Sequence, residues 1–397
     1  MAASRTLIVA GAGIGGLTTA LTLAHHGFRV LVIEQNDLPQ ETGAGIQLAP
    51  NAMRILRKIG VEDRLRDRAV IPQALSIMNG RGGREIVRLS LGEASAFRYG
   101  APYWLVHRAD LQSALLDAAR ANPDIELRFG ERVDDFADHA YGLTVQVTRN
   151  STLREERALA LVGADGLWSR LRRRFGDRTT PRFSHRAAWR ALMPVEKAPE
   201  EFRSSLIRLW LGPQAHIVHY PVRAGALINL VAIAPDERAE TTWGAPASRD
   251  EVLKRFADSD WCSAAREILV RPERWQRWSL YDRPASRLVG EGPATLVGDA
   301  AHPMPPFLAQ GAAMAIEDAA ILAQCLGEQP DAIEQAMRRY ENLRHPRIAA
   351  VRRAVHRADR IYHLTGFMAA ARNAAMRGLG GERLRMRYDW LYDWPAG

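Results

Sequence analysis

The sequence predicts an α/β fold: a parallel β-α-β region, a second region of alternating strands that build a mixed β-sheet, and a helical C-terminal end. Three observations predict it. The chain opens with a buried strand "TLIVA" (6–10), a glycine-rich turn "GAGIGG" (11–16), a helical stretch "LTTALTLAHHG" (17–27) stopped at Gly27, and a second strand "RVLVIE" (29–34). From about 180 to 285 the texture changes to short alternating runs, "LIRLWLG", "HIVHYPV" and "ALINLVAIA", separated by "GPQ" and "RAG" turns. Beyond "ATLVG" (294–298), which returns to the buried-strand style, the chain reads as helices with arginine-rich faces to Gly397.

The remaining elements follow in order. "ALSIM" and "EIVRLSL" flank "NGRGG" as a hairpin over 74–91, so this insert and the 180–285 region can build one sheet. "ADLQSALLDAARAN" (109–122) carries Leu111, Leu115 and Leu116 on one helical face, and strands are expected at 125–129, 143–148 and 158–163.

Composition narrows the function classes. A chain of 397 residues can bury roughly three quarters of its unfolded surface. With 47% hydrophobic and 25% charged residues it is too apolar for a disordered chain. Cys262 and Cys325 lack metal-ligand spacing, which speaks against a zinc site or a disulfide framework and fits a reducing cytoplasm. The uncharged stretch from Thr6 to Ala24 superficially resembles a signal peptide or span, but Gly11, Gly13, Gly15 and Gly16 interrupt it and a second strand follows. A net charge of +9 and a pI near 10.0 raise the question of nucleic acid. The arginines concerned (338, 339, 344, 347, 352, 353, 357 and 360) have helical spacing and no accompanying recognition motif, so they are expected on solvated faces.

The chemistry begins at the first turn. Gly11, Gly13 and Gly16 form GxGxxG between a strand and a helix: the first permits the tight turn, the second admits a pyrophosphate to the backbone, and the third lets helix and strand pack closely. The helix N-terminus then offers free N–H groups to phosphate, and Glu34, ending the second strand, can accept from an adenosine ribose. This is a Rossmann-like dinucleotide fingerprint, which NAD and FAD satisfy equally. Two further elements bear on the choice. "LVGADGLWSRLRRRF" (161–175) is a strand ending at Asp165, followed by a helix carrying Arg170, Arg172, Arg173 and Arg174; taken alone, Asp165 also fits a simple helix cap. "LVGDAAHPMPPFLAQGAAMAIEDAAIL" (296–322) is an apolar run stopped by an aspartate, then a proline-broken loop, then glycine and an alanine-rich helix.

With "GAGIGG" and Glu34, "ADG" at 164–166 and "GDAAHPMPPFLAQGAAMAIEDA" at 298–319 standing in order, the sequence resembles the class A flavoprotein aromatic monooxygenases of the salicylate and hydroxybenzoate hydroxylase type. The resemblance implies FAD as cofactor. Gly11, Gly13, Gly15 and Gly16 would hold its pyrophosphate end, Asp299 the ribityl hydroxyls, and Gly311 with Ala312 the flavin edge at a helix start. Arg108 in "VHRADL" matches an arginine that contacts FAD, with a structural salt bridge as its alternative, and Asp165 would lie near both FAD and the nicotinamide nucleotide. "ETGAGIQLAPNAMRIL" (41–56) resembles the family segment whose backbone passes beside the flavin; there Gly43 and Gly45 would allow close approach and Gln47 would face the substrate.

For the substrate, strand alternation puts His216, Val218 and Tyr220 on one face of "HIVHYPV". The resemblance makes His216 and Tyr220 the catalytic pair, though a core histidine fits the pattern equally. Arg190 would meet a substrate carboxylate, Pro306 would line the substrate site and Phe307 supply an apolar wall; His302, with no third ligand near it in sequence, reads as structural. The implied reaction hydroxylates a phenolic or N-heteroaromatic acid with NADH or NADPH and O2 through a flavin C4a-hydroperoxide; alkene epoxidation is the alternative within the family. A nicotinamide-dependent dehydrogenase and a basic binding protein are the rivals outside it. The expected partners are a small aromatic substrate, NAD(P)H and O2, with no nucleic acid and no stable membrane association; a homodimer is compatible, and the Arg-rich stretch 170–174 is a candidate for a transient NAD(P)H groove. The domain reading is an FAD-binding domain at 1–72, 105–180 and 286–330, a substrate domain at 73–104 and 181–285, and a helical region at 331–397.

Overall fold

The computed structural model describes residues 6–38, 44–241, 244–257, 260–285, 288, 290 and 292–395. Gly43 lies outside them. The fold is α/β, and its organising element is a five-stranded parallel sheet in the order Ala294–Leu296, Ala160–Gly163, Thr6–Ala10, Arg29–Glu34, Ile125–Phe129. Strand order reverses around Thr6–Ala10, which makes its C-terminal end the switch point at which open α/β sheets bind ligands. Register sharpens the point. Ala10 pairs with Gly163 and Gly163 with Leu296, so three segments far apart in sequence leave the sheet side by side, at Gly11, Ala164 and Val297.

The helices Ile14–His25 and Gly311–Glu328 pack against each other, and Thr22 donates its hydroxyl to the carbonyl of Ala319 at 3.0 Å. Small residues permit the approach: a Cβ on Gly15 would stand 3.3 Å from that of Ala315.

The second region is an eight-stranded sheet in the order Ala245–Ala247, Trp275–Asp282, Arg182–Pro194, Leu227–Pro235, His216–Val222, Leu206–Leu211, Ala74–Asn79, Glu85–Ser90. The 74–91 hairpin joins it through a parallel pairing of Ala74–Asn79 with Leu206–Leu211, so the sheet is mixed. Three departures from expectation have plain causes. The strand expected at 158–163 is split: Thr152–Ala158 belongs to a three-stranded antiparallel sheet with Gly142–Arg149 and Arg132–His139, and Ala160–Gly163 turns into the parallel sheet. The expected helix after Asp165 is one short 3-10 segment, Leu171–Phe175, ended by Gly176 in the left-handed region. On the long helix Ile333–Tyr362, Arg344 and Arg347 are buried rather than solvated, because Glu317 and Asp318 of the neighbouring helix neutralise them. Among the described residues no helix is long and apolar enough to cross a membrane.

Candidate active site

Between the parallel sheet's switch point and the mixed sheet lies a cavity of about 360 Å³. Its first wall is the glycine turn. Gly11 has φ +113°, and a Cβ there would sit 2.5 Å from the carbonyl oxygen of Ala164; on Gly16 it would sit 1.8 Å from the carbonyl oxygen of Gly11. Gly13 is different. A Cβ there meets nothing within 4 Å, Gly13 lines the cavity, and the helix it begins has no side-chain cap, so its first N–H groups face open space. Glu34 accepts from the backbone N–H of Ala12 at 2.8 Å, fixing its carboxylate beside this turn.

The second wall is the loop that follows Ala294–Leu296. Val297, Gly298, Asp299, Pro303, Pro305, Pro306, Gly311 and Ala312 line the cavity. Ala309 holds φ +52° there, a conformation a side chain rarely adopts. The helix starting at Gly311 also lacks a side-chain cap and has open space at its first residue. Asp299 presents its carboxylate to the cavity; the enclosing protein pushes its pKa up, opposed by His302 and Arg108 and reinforced by Asp318. Arg108, at the start of the helix Arg108–Arg120, lines the same space, where burial lowers its pKa and Asp299 counteracts that.

The loop is held from behind. His302 meets Asp318 at 2.5 Å, the backbone N–H of Gly298 donates to Asp318 at 2.8 Å, and Arg344 donates to Asp318 at 2.7 Å and to Glu317 at 2.8 Å. Asn51 also donates to Glu317, at 2.7 Å. Arg172 is fully buried and donates to the carbonyls of Ala300, Ala301 and Pro284, with Asp177 at 2.7 Å. That excludes Arg172 from a solvent-facing nucleotide groove and makes it a brace for the loop. Asp165 accepts from the backbone N–H groups of Arg170 (2.8 Å) and Leu171 (3.3 Å): it caps the 3-10 segment, while its neighbours Ala164 and Gly166 line the cavity.

The third wall is the mixed sheet, where pairing register builds the surface. Val218, Val231 and Arg190 lie directly across from one another on three successive strands, and His216, Ile233, Ala188 and Trp278 form the adjoining row. His216, Val218 and Tyr220 face the cavity, whereas His219 is buried on the opposite face against Phe202. The Arg190 guanidinium stacks 4.6 Å from the Trp278 ring centroid, and its Nε has no hydrogen-bond partner. Burial, then the charge of Arg108, pushes its pKa down to about 10, opposed by Tyr220, so it remains a cation at neutral pH. Burial raises the Tyr220 phenol well above its ordinary value against the pull of Arg190 and Gln47. Burial, followed by His363 and Arg186, holds His216 well below the ordinary histidine value.

Gln47 lines the cavity and accepts from the Tyr103 hydroxyl at 2.7 Å; the Gly45 N–H donates to Asn229 at 2.7 Å, and a Cβ on Gly45 would stand 2.6 Å from the Tyr220 ring. Phe307 does not line the cavity. It packs edge-on to His216 and His363, with centroids 5.9 and 5.6 Å away. Trp278, Tyr103 and His363 are site residues that the sequence reading does not include; the alternation of "WQRWSLYD" (275–282) is a signal for Trp278, and His363 is found only from the fold.

Two uncapped helix ends, a glycine whose missing side chain leaves space, a carboxylate turned into the cavity and a cation at its rim suit a long dinucleotide held at both ends. The family described as FAD binding domain matches residues 4–355. Similar proteins include the 3-hydroxybenzoate 6-hydroxylase of Klebsiella oxytoca, 35% identical over 99% of this chain and 98% of that one. The 3-amino-4-hydroxybenzoate 2-monooxygenase PtnB3 of Streptomyces platensis is 37% identical over 98% and 96%. Among solved structures, Klebsiella pneumoniae HpxO complexed with FAD and uric acid aligns with a TM-score of 0.85 and 25% identity, covering 99% of this chain and 98% of that one. The chain therefore belongs to the FAD binding domain family and is an FAD-dependent monooxygenase of the class A aromatic hydroxylase group.

Proposed function

We propose that the enzyme hydroxylates a phenolic or N-heteroaromatic acid of the hydroxybenzoate kind, with NADH or NADPH and O2 as co-substrates. The observation that carries this is Arg190, a cation enclosed by protein, open to the cavity and with an unpartnered Nε. A buried cation without a carboxylate partner is costly, and a substrate carboxylate supplies what the fold leaves out. Bound FAD, held by Gly11 to Gly16, Arg108, Asp299 and the Gly311 helix start, supplies the electron transfer and oxygen activation.

The polypeptide's share is binding, orientation, water exclusion and proton handling. Val218, Val231, Ile233, Trp278 and Pro306 give the ring an apolar bed that keeps water from it. His216 is neutral at working pH and able to accept the phenol proton, which makes the ring carbon more nucleophilic. Tyr220 stays protonated and serves as a hydrogen-bond donor to the resulting phenolate. A panel of hydroxybenzoates and hydroxynicotinates is expected to include one that stimulates NADH oxidation and incorporates one atom of labelled O2. Arg190→Met should raise KM for that acid about 10- to 100-fold, the loss of a charged hydrogen bond, while FAD content stays full. An unchanged KM would remove Arg190 from the substrate site. His216→Ala is expected to keep FAD and NADH oxidation but divert oxygen to H2O2; full coupling to product would rule out its role.

A further inference from the structure

Behind His216 the structure continues in a direction that oxygen chemistry does not require. His216 Nδ1 lies 2.8 Å from His363 Nε2, and His363 Nδ1 lies 2.7 Å from Asp359 Oδ1. His216 and His363 are buried, whereas the Asp359 side chain is 31% exposed. The chain of contacts thus runs from the cavity through two rings to solvent. We propose that His363 and Asp359, with His216, form a proton conduit between the substrate's phenolic oxygen and the surface of the C-terminal helix. The proposal rests on the reading of His216 as the group that takes the substrate proton.

The hydrogen-bond polarity is set from its outer end. A carboxylate only accepts, so His363 carries its proton on Nδ1 and leaves Nε2 bare. His216 must then donate from Nδ1 to that bare nitrogen, and its own lone pair sits on Nε2. The carboxylate therefore selects, through an intervening ring, the tautomer of His216 that can act as a base. Burial works to raise the Asp359 pKa, but the His363 hydrogen bond and the charge of Arg186 outweigh it and keep the group ionised.

The surroundings fit the same reading. Arg186, placed next to a bulge in Arg182–Pro194 by His185 at φ +55°, reaches Asp359 Oδ1 at 3.2 Å and is itself tied to the carbonyl of Gln214. His356 acts on Asp359 from the same helix and pairs with Asp282 at 3.3 Å. Phe307 and Tyr362 pack edge-on against the His216 ring and exclude water from the inner link. The charged and titratable groups facing the relay are therefore Asp359, His356 and Tyr362 on the helix side and Arg186 and His216 on the sheet side.

Only protons move. The phenol O–H bond breaks as the proton joins His216 Nε2; the Nδ1 proton of His216 passes to His363 Nε2, and that of His363 to Asp359, which yields it to water. Reprotonation of the product oxygen runs the path in reverse and restores both tautomers. His363 and Asp359 act through His216 and are positioning residues.

The test reads proton transfer without turnover. FAD-loaded enzyme is mixed with 3-hydroxy-4-nitrobenzoate, a chromogenic phenol acid, and phenolate appearance is followed by stopped-flow absorbance after an upward pH jump. His363→Ala and Asp359→Asn are each expected to slow it about 100-fold or more, with probe affinity unchanged. Imidazole in the buffer should restore the rate of His363→Ala but not that of Asp359→Asn, and Asp359→Glu should retain most of the rate. Rates within twofold of the parent in both variants would overturn the conduit. If His216→Ala slows the probe while His363→Ala and Asp359→Asn do not, the conduit fails and the base survives; if His216→Ala also leaves it unchanged, the base reading itself fails. Should His363→Ala not fold, Asp359→Asn, altered by a single atom on a partly exposed side chain, carries the same test.

Discussion

The turn at Gly11–Gly16 and the loop at Gly298–Gly311 both bring a helix N-terminus to one cavity, yet they are rigid for opposite reasons. The first is held by what is missing: Cβ atoms at Gly11 and Gly16 would strike backbone oxygens at 2.5 and 1.8 Å, so close packing of strand and helix is available to glycine only. The second is held by what is present: Asp318, on the helix that follows, holds the loop through His302 and the Gly298 N–H, Arg344 fixes Asp318 and Glu317, and Arg172 braces the loop from far away in the chain. A turn fixed by local sterics tolerates no added atom, whereas a loop fixed by buried charge tolerates no lost one.

Removing charge is expected to do the greater damage. Arg344 contacts two carboxylates that are fully buried and stacks on Trp394 at 4.8 Å. Arg344→Met leaves Asp318 and Glu317 short of a partner, and breaking such a buried pair costs about 3–5 kcal/mol. Urea unfolding should show that loss, together with weakened FAD retention. Next in size is Gly16→Ala. Its Cβ meets backbone rather than a yielding side chain, so strand and helix must separate at a cost of about 3 kcal/mol, measurable by the same unfolding on flavin-free protein. Stability equal to the parent would show that the turn relaxes more freely than its geometry indicates.

Acid acts on the charge-held loop through Asp318. Burial works to raise the Asp318 pKa, but His302 and Arg344 bring it down to about 2. A depressed carboxylate contributes stability above its unfolded value, about 3.8, that is lost as pH falls through about 2; the full contribution is about 2 kcal/mol. Asp318→Asn should therefore be less stable than the parent at pH 6, and the gap should narrow steadily below pH 4. A gap that stays constant down to pH 2 would mean that Asp318 is not the group responsible.

The same contrast explains what is legible in the sequence. Strands Thr6–Ala10 and Arg29–Glu34 coincide with the runs expected of them, because a strand buried on both faces leaves an apolar signature that needs no partner to read. The glycine spacing is legible for the same reason. The braces are not. Composition and helical spacing place Arg344 and Arg347 on a solvated face, although Arg344 stands four residues from both Tyr340 and Ile348, inside the buried stripe, where a charge signals a hidden partner. Glu317 and Asp318, acids in the otherwise apolar stretch 311–323, are that partner's signal. Arg172 and Phe307 have roles set by neighbours far away in the chain, and no local pattern announces them. Arg132–His139 is not among the expected strands because its acidic residues dilute the alternation.

The smallest structural effect gives the sharpest discrimination within the turn itself. Gly13 shares the motif with Gly11 and Gly16 but not their constraint: it has extended backbone at φ −74°, ψ −177°, and a Cβ on it meets nothing within 4 Å. Gly13→Ala should therefore leave flavin-free stability within about 0.5 kcal/mol of the parent. What the methyl group does occupy is the space in front of the uncapped helix N-terminus, where a pyrophosphate must approach the N–H groups. FAD affinity, measured by fluorescence quenching on titration into apoprotein, should fall about tenfold or more while the unfolding curve stays in place. If affinity is retained, the open space at Gly13 is not where the cofactor's phosphates lie. If instead stability falls with affinity, Gly13 belongs with Gly16 as a packing glycine, and the division between sterically fixed and ligand-facing positions in this turn disappears.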